Sequence, residues 1–88
     1  MSNEEFKIAV HAYLMELEDK LVAKNAAYGD AALSPIRVFS KADPLEQIRV
    51  RIDDKLKRIQ TGNPADVEDS RGDLIGYLVL EQVKLRNA

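Results

Sequence analysis

The sequence predicts an all-α domain of three helices, with a long ordered loop between the first and the second. Apolar residues recur at spacings of three and four in three separate segments, and two of these segments begin at an Asp-Pro or Asn-Pro pair. The 88 residues are expected to form a single domain, residues 1–88. We expect helices at about residues 3–24, 44–61 and 64–86.

The composition excludes several classes of site and partner. The chain has no cysteine, which excludes disulfides, thiolate nucleophiles and Cys-based metal sites, and one histidine, His11, gives no His-rich metal site. The net charge of −2 gives no reason to expect direct DNA binding. No apolar run approaches a membrane span, and the acidic start is unlike a signal peptide. We therefore expect no membrane contact and a cytoplasmic location, in the host if the chain is phage-encoded.

The first helix carries one main apolar stripe and a sparser second one. Ser2 and Glu5 have the spacing of a capping box at its start. The main stripe is expected to face the core and consists of Phe6, Val10, Tyr13, Leu14, Leu17 and Leu21. The second stripe, which is either scattered surface or a subunit contact, consists of Ile8, Met15 and Val22.

The segment 25–43 does not keep a helical period. Tyr28-Gly29-Asp30 and Ser34-Pro35 are turn signals, and Gly29 permits a positive φ. The segment also carries four apolar residues, Leu33, Ile36, Val38 and Phe39. We predict a partly packed loop, and a loop this long in so small a domain favours a functional role.

The second helix has a clear start and end. Asp43 is a candidate N-cap, Pro44 takes the first helical position, Glu46 has the capping-box spacing, and Gly62 ends the helix. Its buried stripe is expected to consist of Leu45, Ile48, Ile52, Leu56 and Ile59.

The third helix, like the second, is predicted to begin with a cap residue followed by proline. Asn63 is the candidate N-cap, Pro64 follows it, and Asp66 lies in the first turn. The residues expected to face the core are Val67, Leu74, Leu78 and Leu85, with Ile75 beside them. Val79, Leu80 and Val83 widen the apolar surface further. A helix apolar on several sides is normally covered on several sides, so we expect a homo-oligomer that completes a four-helix-like bundle.

Charged residues form a row beside the apolar stripe of each of the last two helices. The row of the second helix consists of Arg51, Asp54, Lys55 and Arg58. The row of the third helix consists of Asp66, Asp69, Asp73 and Tyr77. The first row is either a solvated face with ion pairs or a functional surface. Asp73 lies deep in its helix and predicts a positive partner, either Lys55 or Arg58 or a divalent cation, for which oxygen ligands favour magnesium or manganese.

Several of these segments together resemble a known family. They are Lys24 to Asp30, Phe39-Ser40, Arg51 to Arg58, and Asp69 to Leu78. In this order they resemble the phage and bacterial family called nucleotide modification associated domain 1, over roughly Lys24 to Leu80. That family is similar to the all-α nucleotide pyrophosphatases of the MazG and dimeric dUTPase group, which use magnesium held by acidic residues to hydrolyse the α–β phosphate bond of nucleoside triphosphates.

The resemblance implies a set of site residues and one cofactor, magnesium. The implied metal ligands and catalytic residues are Asp54, Asp69 and Asp73. Phosphate contacts are implied for Arg51, Lys55 and Arg58. Base or sugar contacts are implied for Asn25 and Tyr28, and we add Lys24 and Tyr77 to the substrate-binding set.

Three hypotheses about function stay open at this point. The first is a magnesium-dependent nucleoside triphosphate pyrophosphatase of phage or bacterial nucleotide metabolism. The second is a non-catalytic protein that binds or sequesters a nucleotide or a nucleotide-derived small molecule. The third is a purely structural helical oligomer.

Overall fold

The computed structural model describes residues 1–62 and 64–87, with the side chains of residues 65, 66 and 68 outside the description. Within these residues the protein has three helices and no strand: α1 Asn3–Ala27, α2 Pro44–Thr61 and α3 Pro64–Arg86. The predicted all-α class is therefore confirmed, although α1 runs on past the predicted end at Lys24. No helix in the described part combines the length and apolarity needed to cross a membrane. The predicted roles of Asn63 and the Asp66 side chain lie outside the described residues.

The starts of α1 and α2 are fixed by local side-chain hydrogen bonds. The Glu5 N–H donates to Ser2 Oγ at 3.1 Å, and the Ser2 N–H donates to Glu5 Oε1 at 3.4 Å, which completes the predicted capping box. At α2 the Glu46 N–H donates to Asp43 Oδ1 at 3.1 Å, as expected of an N-cap. The Glu46 carboxylate accepts from Arg49 at 3.2 Å. The predicted N-caps Ser2 and Asp43 are confirmed, whereas the Glu46 side chain, which was predicted to complete a box at α2, contacts Arg49.

The end of α2 differs from the usual glycine cap. The Gly62 N–H donates to the Arg58 carbonyl at 2.6 Å, so the helix ends at the predicted residue. Its backbone is extended, with φ −76° and ψ 164°, and is not left-handed. Gly62 therefore ends the helix without using the conformational freedom that glycine provides.

The helices α2 and α3 pack as an antiparallel pair. A residue in the first half of α2 contacts a residue near the end of α3, and a residue in the second half of α2 contacts a residue in the first half of α3. Arg49 Nε donates to Glu81 Oε2 at 3.0 Å, and Lys55 Nζ lies 3.1 Å from Asp73 Oδ2. The hydrogen bond to Glu81, and secondly the one to Glu46, raises the pKa of Arg49 above its ordinary value. These contacts fix the register of the two helices, with the charged rows facing each other at Lys55 and Asp73.

The core between α2 and α3 is small. Ile48 is 4% exposed, as its place in the predicted stripe requires, and Ser70 and Gly76 are also buried. The sequence did not predict burial of the last two. Half-buried positions of the predicted stripes are Leu45, Ile52, Ile59, Val67 and Leu74. Exposed within one chain are Leu56, Leu78 and Leu85, which were expected to face the core, and Ile75, which was expected beside them.

The helix α1 contacts this pair only through its C-terminal half. Leu17 and Leu21 are half-buried, and Leu21 Cδ2 lies 3.4 Å from the position a Cβ on Gly76 would take. Residues 1–16 are all exposed. Four positions of the predicted main stripe are therefore exposed within one chain, and the homo-oligomer expected to complete the core stays a prediction. The four positions are Phe6, Val10, Tyr13 and Leu14, which lie beyond the part of α1 that meets the α2–α3 pair.

The segment between α1 and α2 forms an ordered turn followed by irregular chain. Gly29 has the predicted positive φ, 61°, and Asp30 also has a positive φ of 62°. The Asp30 N–H donates to the Asn25 carbonyl at 3.0 Å, which folds the chain back on α1. The expectation of a partly packed loop holds for half-buried Leu33. It is wrong for three exposed residues, Ile36, Val38 and Phe39.

Candidate functional site

A groove of about 690 Å³ lies where the C-terminal half of α1, the loop, α2 and α3 meet. This volume is within the range of about 300–1,000 Å³ typical of small-molecule sites. The α1 and loop residues that line it include Leu17, Lys20, Leu21, Lys24, Asn25, Tyr28 and Ile36. The residues from the other two helices are Gln47, Ile48, Arg51, Gly72, Asp73, Gly76, Tyr77 and Leu80.

The wall formed by α1 combines apolar and basic side chains. Leu17 and Leu21 alternate with Lys20 and Lys24 at the i, i+3, i+4, i+7 spacing, which places all four on one side of the helix. The two leucines are half-buried, and the two lysines are exposed. Lys20 was not among the predicted site residues, although its spacing from Lys24 places it on the same wall.

Two glycines shape the wall formed by α3. Gly72 and Gly76 lie one helical turn apart and both line the groove. A Cβ at Gly76 meets Leu21, whereas a Cβ at Gly72 meets nothing within 4 Å. Glycine within a helix costs about 0.5–1 kcal/mol relative to alanine. This cost at two positions on one face is a sequence signal for the groove, and neither glycine was among the predicted site residues.

Asp73 has its positive partner in Lys55. Lys55 Nζ lies 3.1 Å from Asp73 Oδ2, and the Lys55 side chain is 13% exposed while that of Asp73 is 38% exposed. The sequence left Lys55, Arg58 or a cation open as this partner, and the register of α2 and α3 selects Lys55. The pair lies at the edge of the groove, since Asp73 lines it.

The structure brings together most of the residues predicted to bind substrate. Those that line the groove are Lys24, Asn25, Tyr28, Arg51 and Tyr77, and Asp73, which was predicted as a metal ligand, lines it as well. Lys55 adjoins it through its ion pair with Asp73. Arg58, the last residue of the predicted substrate-binding set, is not among the groove-lining residues that the structure describes.

The three carboxylates predicted to hold magnesium are not gathered into one site. Asp54 and Asp69 are exposed and do not line the groove in the described part of the chain, and Asp73 is engaged by Lys55. No group of three or more His, Asp or Glu side chains suited to a metal ion occurs among the described residues. The donor arrangement does not fit the predicted ligand set, and we derive no chemical step through magnesium, which stays a prediction.

The charge around the groove is positive. Lys20, Lys24 and Arg51 line it, and the carboxylate of Asp73 is balanced by Lys55. This local excess contrasts with the net charge of −2 of the whole chain. Tyr28 and Tyr77 add aromatic surface beside the cations. The arrangement suits a ligand with an anionic part and a planar part.

Comparisons of the chain with protein-family models, with curated proteins and with solved structures gave no match. The likeness to the nucleotide modification associated family therefore stands on the quoted motifs alone, and its implications for function are proposals.

Proposed function

We propose that this protein binds a nucleotide in the groove between α1, α2 and α3. The observation that carries the proposal is the presence of three cationic and two tyrosine side chains around one groove of suitable size. These are Lys20, Lys24, Arg51, Tyr28 and Tyr77. A nucleotide combines the two features that such a lining recognises, an anionic phosphate group and a flat base.

In this proposal the cations hold phosphate and the tyrosines hold the base. The Arg51 guanidinium can donate two parallel hydrogen bonds to phosphate oxygens, while Lys24 contributes a point charge. Tyr28 or Tyr77 provides a ring on which a base stacks, and such stacking is worth about 1–3 kcal/mol per base. The Asn25 amide carries both a donor and an acceptor, which suits a base edge or a sugar hydroxyl.

Binding without turnover is the form of the proposal that the Lys55–Asp73 pair favours. Asp73 Oδ2 already has an ammonium group at 3.1 Å, which offsets the negative charge that would attract a metal ion. The magnesium-dependent pyrophosphatase is the second candidate, and it requires further carboxylates, such as Asp54 and Asp69, to approach Asp73. The setting in phage or bacterial nucleotide metabolism comes from the family resemblance, and a homo-oligomer remains part of the proposal.

A calorimetric titration with a deoxynucleoside triphosphate tests the groove. Arg51→Gln should weaken binding by about 10- to 100-fold, because hydrogen bonds to charged groups contribute about 1.5–3 kcal/mol. Lys57→Gln is the matched control, since Lys57 lies exposed on the same helix and is not among the lining residues described. Equal losses in the two variants, or no binding by the unchanged protein, would contradict the proposal.

Magnesium separates the two forms of the proposal. The non-catalytic form predicts nucleotide binding in the presence of a chelator and no release of pyrophosphate. The pyrophosphatase form predicts pyrophosphate release that requires magnesium and is lost in Asp73→Asn. Circular dichroism of Asp73→Asn must accompany this assay, because the substitution also removes the partner of Lys55.

A further inference from the structure

A short part of the segment between α1 and α2, residues 36–41, presents three apolar side chains that little of the described chain covers. Ile36 is 85% exposed, Val38 is 60% exposed and Phe39 is 99% exposed. Single apolar residues on a surface are common, but a cluster of neighbouring ones is more often a surface on which another group packs. The position of this cluster in the fold indicates which group that is.

Both ends of this short segment are held at the groove. Ile36 lines the groove itself. At the other end the Gln47 side-chain amide donates to the Ala42 carbonyl at 2.8 Å, and Gln47 also lines the groove. Phe39 lies three residues from Ile36 and three from Ala42, and three residues of extended chain span at most about 11 Å. This length is comparable with the width of a space of about 690 Å³, so Phe39 is tethered within reach of the groove.

Side-chain hydrogen bonds hold the tip of the segment together, whereas its flanks are free of backbone pairing. The Arg37 guanidinium donates to the Lys41 carbonyl, and Lys41 Nζ donates to the Arg37 carbonyl at 2.8 Å. In the described part of the chain, no backbone–backbone hydrogen bond involves residues 35–42. Segments with few backbone hydrogen bonds and few packed side chains open at a low cost in free energy. The tip can therefore move as one unit relative to the helices.

The segment and the groove both carry positive charge. Residues 31–42 contain two cations, Arg37 and Lys41, and no carboxylate. The cations that line the groove are Lys20, Lys24 and Arg51. At low ionic strength, exposed like charges repel over distances of about 10–30 Å. Closure of the segment over an empty groove is therefore opposed, and an anion in the groove removes that opposition.

We propose that residues 36–41 form a lid that closes over the groove when an anionic ligand occupies it. The lid rests on the proposed function, since it takes this ligand to be the nucleotide proposed for the groove. Phosphate offsets the repulsion between the two sets of cations, and the base gives Phe39 a flat surface on which to pack. Arg37 and Lys41 use only part of their hydrogen-bond donors at the tip, so donors remain for phosphate oxygens.

A tryptophan at the tip of the lid reports closure, and the natural chain contains no tryptophan that would obscure its signal. When the deoxynucleoside triphosphate used for calorimetry is added, the emission of Phe39→Trp should shift to shorter wavelength and become less accessible to acrylamide. Phe6→Trp is the matched control, because Phe6 is an exposed phenylalanine outside the described groove lining, and it should show neither change. Unchanged emission of Phe39→Trp at saturating nucleotide would overturn the lid.

Phe39→Ala measures what the lid contributes to binding. The fold should keep its Tm, since Phe39 contacts little of the free protein. The dissociation constant for the nucleotide should rise by about 10-fold or more, the effect of losing one ring stacked on a base. A lid retains a ligand that has already entered, so stopped-flow kinetics should show faster dissociation and little change in association. Equal dissociation constants for Phe39→Ala and the control Phe6→Ala would overturn the lid.

Salt and an anion without a base test the lid in the absence of nucleotide. At 1 M NaCl the screening length falls to about 3 Å, which removes most of the repulsion between the lid and the groove. The emission of Phe39→Trp should then shift to shorter wavelength, while that of Phe6→Trp should not. Inorganic tripolyphosphate should produce the same shift at low ionic strength, because it supplies negative charge to the groove. Equal shifts in the two variants would overturn a closure specific to the lid.

These measurements separate the lid from the proposed function. Nucleotide binding by the unchanged protein, with no response of Phe39→Trp to nucleotide, would overturn the lid and leave the proposed function supported. Absence of nucleotide binding, with a response of Phe39→Trp to salt and to tripolyphosphate, would overturn the nucleotide as the ligand and still support a lid closed by an anion. Absence of nucleotide binding and of both responses would overturn the two proposals together.

Discussion

Replacing Asp73 by asparagine removes the carboxylate that Lys55 contacts between α2 and α3. Lys55 Nζ is 3.1 Å from Asp73 Oδ2, and the Lys55 side chain is only 13% exposed. The substitution therefore leaves a mostly buried ammonium group without its counter-charge. We predict that Asp73→Asn destabilises the protein even if Asp73 also has a role in ligand binding.

The exposures of the two side chains set the size of this effect. Breaking a fully buried ion pair costs about 3–5 kcal/mol, whereas an exposed pair contributes about 0–1 kcal/mol. Asp73 is 38% exposed, so water screens this pair and the loss should be about 1–2 kcal/mol. For a domain of this size, that loss lowers Tm by about 4–15 °C.

Thermal and urea unfolding followed by circular dichroism measures the effect in a double-mutant cycle. Asp73→Asn, Lys55→Met and the double variant should give a coupling energy of about 1 kcal/mol, smaller at high salt. Asp54→Asn is the control, because Asp54 is an exposed carboxylate on α2, and it should change stability by less than about 0.5 kcal/mol. A coupling energy below about 0.3 kcal/mol, or equal effects of Asp73→Asn and Asp54→Asn, would refute the reasoning.

Two further predictions concern the backbone and the core. Gly29→Ala should destabilise by about 1 kcal/mol, because φ is +61° there while the space around the new Cβ is open. Gly72→Ala, also into open space but within α3, should instead stabilise by about 0.5–1 kcal/mol; the same sign for both in urea unfolding would contradict the account. Ile48→Ala should cost about 2–4 kcal/mol because Ile48 is 4% exposed, and Leu56→Ala on the exposed side of α2 should cost less than half as much. A Leu56→Ala loss as large as that of Ile48→Ala would show that Leu56 is covered by another surface.

The features predicted well from the sequence are those decided by neighbouring residues. Ser2 with Glu5 and Asp43 with Pro44 fix helix starts within one turn, so the sequence alone specifies them. Ile48 is buried because it lies on the apolar side of α2, the side that packs against α3. Local rules predict such residues whatever surrounds the rest of the chain.

The features predicted poorly depend on which other part of the chain packs against them. Periodicity shows that Phe6 and Leu14 share an apolar face with Leu21, but it does not show that the α2–α3 pair meets only the C-terminal part of that face. The partner of Asp73 likewise depends on the register of two helices. Loop residues such as Phe39 have no period from which to infer packing, and Phe39 is 99% exposed.

In the candidate site, too, features set by neighbouring residues were predicted, and features set by helix packing were not. The residues around Lys24 and Tyr28 were predicted from a short motif, and they do line a groove. The spacing of Lys20, Gly72 and Gly76 is visible in the sequence, but which surface each of them faces is decided only where α1 meets α3. Helical spacing places Asp69 and Asp73 in one row of α3 but does not set how α2, which carries Asp54, approaches that row, so the predicted ligand set stays a prediction.

Nuclear magnetic resonance of the ¹⁵N-labelled chain, titrated with a deoxynucleoside triphosphate with and without magnesium, tests the central claim most directly. The proposal predicts that the largest amide shifts occur at Lys24, Tyr28, Arg51 and Tyr77, which border the groove. Residues near the end of α2, such as Lys57, should shift little. A spectrum that does not change at millimolar nucleotide, or shifts that map outside the groove, would contradict the assignment of this surface as a nucleotide site.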